Sequence, residues 1–466
     1  MKNIVCIIGF ILTIGYIGAA EGYYISAAGN DANDGLTEET PFKTLAQGIA
    51  QAQTGELKRI IVIGLLDSTS EGSGLGEDSV FYISDSGETE ILIAGYLDLS
   101  EQRTSELRGL RGKRVITVGE NSKIRFENIL ITGGNAPING GGIYVGQGSA
   151  VTLGTGAIVQ GNCGQEGGGV YVQEGEFILE NDAAIVGNTV LTDEGGGGVF
   201  VSSVFIMRHN AVISGNSGGG VVLHNGAGTL LDNAVIQGNQ CQYDGGGAAL
   251  YRSAFTMRGN AQIIGNEAGR HGGGIISHNG TLVVEENALI RDNRAYTDGG
   301  GAALRQGSFI IRGNAQIKGN TAGDDGGGVH NFGGSLIFSE SAGLLHNTAE
   351  CGGGLCSESG AFSIVQDRVL VQGNKAVGAY QGGGGLCVGN NAAILMKGGE
   401  VRDNSAVNGG GAYIEGGRFK LSGGVITNNS AEHGGGIYKR IGDFTLTKGD
   451  LSGNIPGDIA DLSAAR

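Results

Sequence analysis

The sequence predicts an all-β fold, a single-stranded right-handed parallel β-helix, or solenoid, with a short capping helix at its N-terminal end. Three observations predict it: a glycine triplet that returns twelve times, period-two alternation after each triplet, and an asparagine that closes each unit. Four successive steps between Gly220 and Gly328 are each 27 residues, and a fixed period of this size is typical of stacked repeats. The triplets end at Gly142, Gly169, Gly198, Gly220, Gly247, Gly274, Gly301, Gly328, Gly354, Gly385, Gly411 and Gly436.

Each triplet is followed by a strand pattern. The next residue is apolar in every unit, the residue two positions further is mostly apolar, and the fourth is mostly polar. Such alternation indicates a short strand with one buried face. Two more short apolar runs follow, for example residues 255–257 and 261–264. With no helical stretch between them, the three strands form one coil, and coils stack at about 4.8 Å.

Two corners of the coil are predicted from single residue types. The asparagine that follows the third strand is expected to adopt the left-handed conformation of a sharp corner and to bond the asparagine of the next turn through its amide. The glycines are expected where backbones approach too closely for a Cβ atom. The asparagines are Asn162, Asn188, Asn216, Asn239, Asn266, Asn293, Asn320, Asn347, Asn374, Asn404, Asn429 and Asn454.

A column of alternating charge follows the second strand. Neighbours one turn apart are expected to pair laterally, which stabilises each exposed pair by only about 0–1 kcal/mol but favours one register. The column reads Glu180, Arg208, Asp232, Arg258, Glu285 and Arg312.

The chain divides into four predicted segments. Residues 1–20 have the lysine, apolar run and small residues of a signal peptide, although an uncleaved anchor remains an alternative. Residues 21–135 form an N-terminal cap with irregular first turns, residues 136–454 the glycine-triplet β-helix, and residues 455–466 a C-terminal cap. Within the N-terminal cap, Thr44 and Gln47 form a capping box that starts a lid helix. No membrane span is expected after signal removal.

Composition excludes several classes of protein. Gly makes up 94 of 466 residues without a G-X-Y period and with only three Pro, which excludes collagen. A net charge of −16 repels phosphate, so nucleic acid is not an expected partner. Nothing in the pattern calls for a cofactor.

The cysteines are sparse and odd in number after residue 20. They predict neither a disulfide framework nor a C-x₂-C zinc site, so no metal site is expected. Cys356 and Cys387 both lie two residues after a triplet, and we expect them to be stacked neighbours on the outer face. Both a disulfide and two thiols remain open for this pair. We favour thiols because neighbours on parallel strands point their Cβ atoms the same way.

The N-terminal stretch resembles a known family. Residues 23–31, Gly35 and residues 41–45 are similar to the entry segment of pectin-lyase-like right-handed β-helix proteins. The repeats resemble those of polymorphic outer membrane proteins and spirochaete-type surface proteins. Gly247-Ala248 approximates their GGA motif, whereas their FxxN motif is replaced by F-x₄-N. The resemblance implies a cell-surface, adhesin-like role.

The pectin-lyase-like fold also hosts polysaccharide lyases and glycosidases, which use paired carboxylates. Acidic residues do precede several triplets, but they occupy a repeated turn position where such side chains are usually solvated. No catalytic residue is therefore predicted. The acidic residues are Glu166, Glu194, Asp244, Asp298 and Asp325.

Outward positions of the first strand are the predicted binding residues. Aromatic and histidine side chains on a flat sheet could stack on sugar rings or anchor a partner, unless loops cover them. The sequence thus predicts a secreted or cell-surface binding scaffold, adhesin-like and without catalysis, whose partners are glycans or host or cell-surface proteins. A carbohydrate-active enzyme and a structural surface-layer protein remain alternatives. The candidates are Tyr144, Tyr171, Phe200, His224, Tyr251, His278, Arg305, His330 and Phe332.

Overall fold

The computed structural model describes residues 21–71, 77–83, 89–96, 105–192, 195–379 and 381–462. The predicted signal peptide, residues 1–20, lies outside the described residues. The described chain is a parallel β-solenoid of about 13 turns, so the predicted β-helix architecture is confirmed. Strands of successive turns pair in parallel and in register, as Ile143, Val170 and Val199 do.

The first strand of each triplet turn starts at the residue after the glycines. In the turns after Gly274, Gly301, Gly411 and Gly436, the strand continues through the next corner. The bounds are Ile143–Val145, Val170–Val172, Val199–Val201, Val221–His224, Ala248–Tyr251, Ile275–Val284, Ala302–Ile311, Val329–Phe332, Leu355–Glu358, Leu386–Val388, Ala412–Thr427 and Ile437–Leu446.

The second and third strands occupy the two apolar runs that the sequence indicates. Separate second strands are Ala150–Leu153, Glu176–Leu179, Val204–Met207, Ala227–Leu230, Ala254–Met257, Ser335–Phe338 and Phe362–Val365, and Ala393–Arg402 covers both positions of its turn. Third strands are Ile158–Gln160, Ala184–Val186, Val212–Ser214, Val235–Gln237, Gln262–Ile264, Leu289–Arg291, Gln316–Lys318, Gly343–Leu345, Leu370–Gln372 and Asp450–Ser452.

A fourth strand of two residues, which the sequence did not indicate, follows the asparagine in many turns. Two residues are too few for an alternation pattern to be visible. These strands are Cys163–Gly164, Thr189–Val190, Gln240–Cys241, Glu267–Ala268, Arg294–Ala295, Thr321–Ala322, Thr348–Ala349 and Lys375–Ala376.

The N-terminal cap holds both helices of the described chain. Helix α1 (Leu45–Thr54) starts at Thr44, whose hydroxyl accepts a hydrogen bond from Gln47 N, and buries Leu45, Ile49 and Ala52 against the first turns. Helix α2 is Ser68–Glu71. The strands here are Tyr23–Ser26, Arg59–Ile63, Leu65–Leu66, Ser79–Ile83, Glu90–Gly95, Glu106–Arg108, Arg114–Val118, Lys123–Glu127 and Leu130–Thr132.

The C-terminal segment carries one more strand than expected. Ile459–Asp461 pairs in parallel with Ile437, Tyr438 and Lys439, so strand stacking continues past Asn454. The asparagine ladder itself ends at Asn454, whose amide donates to Asp458.

The asparagines form a buried ladder, as predicted. Asn293 Nδ2 donates to Asn320 Oδ1 at 3.0 Å, and Asn320 Nδ2 donates to Asn347 Oδ1 at 3.0 Å. The predicted left-handed conformation is wrong for these residues. It belongs to the residue before each of them, for example Gly265 with φ of 59° and Asp292 with φ of 55°. The left-handed residue turns the chain, which leaves the asparagine side chain free to point inward.

The glycine corner brings backbones into close approach. A Cβ atom on Gly301 would lie 2.6 Å from the Gly328 carbonyl oxygen and 2.9 Å from Asn320 Nδ2. The first glycine of each triplet has positive φ, as in Gly299 at 66°. Glycine is therefore required here for both reasons, conformation and space.

The structure confirms the predicted column of alternating charge except at one position. Glu285 contacts Arg258 at 3.3 Å and Arg312 through the Arg312 Nε at 2.8 Å. Asp232, however, does not stand in the column, because the strand register places it one residue later, in a left-handed turn. Its Oδ2 atom lies 3.9 Å from His209 Nε2 instead.

Candidate functional site

Two rows of side chains line the outer side of the first strands. The outer column is the second residue after each triplet. The turn row is the residue three positions before the last glycine, and the glycine bend folds it back beside the outer column. In order along the axis the turn row reads Asn139, Glu166, Gly195, Ser217, Asp244, His271, Asp298, Asp325, Cys351, Gly382, Asn408 and His433.

A first aromatic stack lies at the N-terminal end of the outer column. The ring centroids of Tyr144 and Tyr171 are 5.7 Å apart, and those of Tyr171 and Phe200 are 5.2 Å apart, with nearly parallel planes. Arg114 covers the other face of Tyr144 at 4.5 Å. The stack ends at Phe200, because Val222 follows it in the column and brings no ring.

A second stack begins in the turn after Phe200, at His224, which lies two residues beyond the outer-column residue Val222. His224 and Tyr251 are 6.1 Å apart, and Tyr251 and His278 stack at 5.1 Å. Arg305 continues the row and lies 5.7 Å from the ring of Phe332. This second row therefore carries a ring or a guanidinium group in each of five consecutive turns.

A cavity of about 460 Å³ lies at the junction of the two stacks. It forms where the outer column changes from Phe200 to the smaller Val222 and Ala249, which leave space above the sheet. Tyr171 and Phe200 belong to one wall, and His224 and Tyr251 to the other. The carboxylates Glu166 and Asp244 of the turn row also line it. The junction combines ring faces with hydrogen-bond acceptors in one concave site.

Beyond this cavity the outer side is covered by polar groups. His271 Nδ1 lies 2.9 Å from Asp298, and His271 Nε2 lies 2.6 Å from Arg305. His330 is buried at 2% exposure, and its Nε2 lies 3.1 Å from Glu358. The apolar floor of the outer column continues from Val222 and Ala249, which line the cavity, to Ile276 and Ala303 in this covered part.

Two neighbouring carboxyl groups of the turn row have opposite protonation preferences. Burial raises the pKa of Asp298, but the His271 hydrogen bond and the charges of His330 and His271 outweigh it, so this pKa lies below its usual value. Burial, the Cys351 thiolate and the Asp298 carboxylate raise the pKa of Asp325 to about 8. Two carboxyl groups in adjacent turns thus have pKa values shifted in opposite directions.

Three cysteines meet further along the same side. Cys356 and Cys387 are register partners in adjacent first strands, which confirms that they are stacked neighbours. Cys351 joins them from the turn row, with its Sγ 2.9 Å from Cys387 Sγ. All three are buried and form no disulfide. Hydrogen bonds from Cys356 and Cys387 lower the pKa of Cys351, whereas the same contacts raise the pKa of Cys356.

The nine predicted binding residues separate into three groups. Tyr171, Phe200, His224 and Tyr251 come together at the junction cavity. Tyr144, His278, Arg305 and Phe332 extend the stacks but do not line that cavity. His330 lies on the expected side of the sheet but is covered, because Glu358 and Asp298 contact its ring from the neighbouring rows.

Sequence reasoning missed His271 and Cys351. Both are members of the turn row, in the same frame as Asp244, Asp298 and Asp325. Reading that row as one column, rather than only its acidic members, would have revealed both residues.

A scan against protein-family models and a search of curated proteins found no match to this chain. In the described part of the chain, neither helix is long and apolar enough to cross a membrane.

Proposed function

We propose that this protein is a secreted or cell-surface β-helix scaffold, adhesin-like and without catalysis, which binds a glycan at the junction cavity. The observation that carries the proposal is the convergence of Tyr171, Phe200, His224 and Tyr251 around one concave site. Export rests on the signal-like residues 1–20. The likeness of the repeats to adhesin-like surface proteins agrees with this role.

The shape of the cavity suits a sugar ring. Sugars present C–H faces that pack on aromatic rings, and the surrounding hydroxyl groups need acceptors and donors. Phe200 ends its stack, so the face turned away from Tyr171 is not covered by another ring of the described chain. Glu166 and Asp244 supply acceptors, and Ser202 and His224 supply groups that can donate.

The charge of the chain and of the cavity indicates which class of glycan can bind. The chain carries a net charge of −16, and two carboxylates line the cavity itself. Acidic polymers such as uronates would be repelled at low ionic strength. We therefore expect neutral or amino sugars as ligands, rather than acidic polysaccharides.

A glycan array probed with the full chain tests the proposal. We expect binding to neutral or amino-sugar glycans, at least about tenfold weaker in Phe200→Ala and Tyr251→Ala. Tyr438→Ala is the matched control, because Tyr438 stacks on Tyr413 in the same column but far from the cavity. Binding that is absent, or that Tyr438→Ala weakens equally, would contradict the proposal, and absence would favour a structural surface-layer role.

A carbohydrate-active enzyme is the second candidate, and the pair Asp298 and Asp325 favours it. A carboxylate beside a protonated carboxylic acid is the arrangement that glycosidases use as base and acid. Release of reducing ends or unsaturated products from polysaccharides, abolished by Asp298→Asn, would support this candidate. No product release from a panel of neutral and acidic polysaccharides would favour the binding scaffold.

A further inference from the structure

We propose that Cys351, Cys356 and Cys387 bind one zinc ion, with Asp325 as the fourth ligand. The three Sγ atoms lie within 4.8 Å of one another. Cys356 Sγ also belongs to a second such group, with a carboxylate oxygen of Asp325 and a ring nitrogen of His330. This inference does not depend on glycan binding.

The cluster arises from the geometry of the turns. Cys356 and Cys387 point outward from adjacent first strands, in register. Cys351 is held beside them because its turn pairs with that of Asp325 in the preceding turn, through a parallel bridge. Four potential ligands are thus held by three successive turns of a rigid sheet, and their backbone hydrogen bonds do not depend on an ion.

The ligand set suits zinc better than other common ions. Thiolates select Zn²⁺ and Cu(I), whereas Ca²⁺ and Mg²⁺ require oxygen ligands. Three sulfurs with one oxygen match the tetrahedral four-coordinate sites of zinc. Cu(I) is the competitor, and it would leave the carboxylate of Asp325 without a role.

The sulfur atoms of Cys351 and Cys387 require only a small adjustment. Zinc–sulfur bonds of about 2.3 Å in a tetrahedron separate the sulfur atoms by about 3.8 Å. Cys351 and Cys387, whose sulfur atoms are 2.9 Å apart, would move apart by roughly 0.9 Å. A change in side-chain torsion angles of this size leaves the strands in place.

The surroundings provide access and further support. A cavity of about 210 Å³ borders the cluster and is lined by Asp325, Glu358 and Glu415 together with the cysteines. Acidic groups around the entrance attract a divalent cation. His330 Nε2 lies 3.1 Å from Glu358 Oε1, and its ring lies within 4.8 Å of the Asp325 carboxylate, so the ring supports the ligand set from one side.

The test measures zinc binding to the full chain, purified under argon and stripped with a chelator. Titration with Zn²⁺ against a chromophoric chelator is expected to show one ion per chain. Binding releases thiol protons and should therefore weaken as the pH falls. Co²⁺ in place of zinc should give the intense absorption of a tetrahedral site and a thiolate charge-transfer band.

Variants assign the ligands. We expect Cys351→Ser, Cys356→Ser and Cys387→Ser each to raise the Kd for Zn²⁺ at least about 100-fold, and Asp325→Asn about tenfold. Cys163→Ser is the matched control, because Cys163 lies outside the cluster, and its Kd should not change. Alkylation mapped by mass spectrometry gives a readout on the unmutated chain, since zinc should protect these three cysteines and not Cys163.

Four results would overturn the assignment. They are no zinc binding, binding that Cys163→Ser weakens as much as Cys351→Ser does, tight binding of Cu(I) with none of Zn²⁺, and a disulfide between Cys351 and Cys387 in protein isolated under argon. Glycan binding by the same variants tests the proposed glycan site, whereas the zinc assignment is decided by the metal titration alone.

Discussion

The buried asparagine corner and the outer column belong to the same turns, yet they vary in opposite ways along the axis. The corner repeats one residue type from Asn162 to Asn454, and its members up to Asn429 each donate to the next. The outer column changes from tyrosine at Tyr144 to alanine at Ala249 and to cysteine at Cys356. One column is uniform, and the other changes between aromatic, small apolar and thiol side chains along the axis.

The difference follows from what each side chain must satisfy. Each buried amide pairs with the amides of the turns above and below it and with backbone groups, so one substitution leaves several polar groups unpaired. Outward side chains meet solvent or a neighbouring ring and can change singly. The uniform column therefore maintains the fold, whereas breaks in the variable column mark candidate sites.

Replacing Asn320 by alanine should have the largest effect. Its amide donates to Ile290 O and to Asn347, and its oxygen accepts from the backbone and side chain of Asn293. Because these buried partners lose their bonds, we expect the free energy of unfolding to fall by about 3–5 kcal/mol. Denaturant titration followed by circular dichroism measures it.

Asn314→Ala is the matched control for that prediction. Asn314 also bonds an asparagine of the preceding turn, Asn287, at 3.3 Å, but this second ladder is exposed. We expect a loss of about 0.5 kcal/mol or less. Equal losses in the two variants would show that burial does not distinguish the ladders.

Glu71 is a buried ionisable group, unlike the neutral asparagines, and its contribution to stability should depend on pH. Burial is the main cause that raises its pKa to about 7, although it accepts a hydrogen bond from Leu45 N. Because the folded-state pKa exceeds the unfolded one, the contribution of Glu71 to stability is greatest below about pH 4.5 and falls by about 3 kcal/mol as the pH rises to about 7.

The Glu71→Gln variant isolates this effect from other carboxylates. The difference in melting temperature between Glu71→Gln and the unmodified chain should grow in favour of the variant between about pH 4.5 and 7. A difference independent of pH would mean that Glu71 ionises normally. The neutral asparagine ladder should show no such pH dependence in Asn320→Ala.

At the glycine corner, Gly301→Ala should cost about 2 kcal/mol, because the added Cβ meets backbone of the next turn. Gly265→Asn is the control. Gly265 has positive φ but open space around it, and Asp292 and Asn428 occupy the equivalent position in other turns. A change within about 0.5 kcal/mol is expected in urea titrations, and a larger loss there would refute the distinction between space and conformation.

A small effect on stability is also expected at Tyr251, which belongs to the second row beside the outer column. Tyr251→Ala should lower the free energy of unfolding by less than about 1 kcal/mol, although it weakens the proposed glycan binding. Leu250→Ala, one residue earlier and fully buried, should cost about 3 kcal/mol. Comparable losses of stability in the two variants, measured by thermal denaturation, would show that outward side chains stabilise the fold as much as buried ones do.

The columns were predictable because each consists of one residue type at a fixed spacing. The glycine triplets, the asparagine amides and the helix that starts at Thr44 all follow from local rules, and the structure has them. Two finer points failed because each depends on an offset of one residue. The left-handed residue precedes the asparagine, and Asp232 lies outside its column.

By itself, the sequence determined a parallel solenoid and the direction in which each strand residue points, since period and alternation act on every turn alike. Only the tertiary structure decided which outward residues meet. The glycine bend folds Cys351 back beside Cys356 and Cys387, and the change from ring to small side chain at Val222 opens the junction cavity. The cysteine cluster and the cavity both depend on contacts between neighbouring turns and on the path of the chain at a corner. Neither can be predicted from the spacing of residues along the chain.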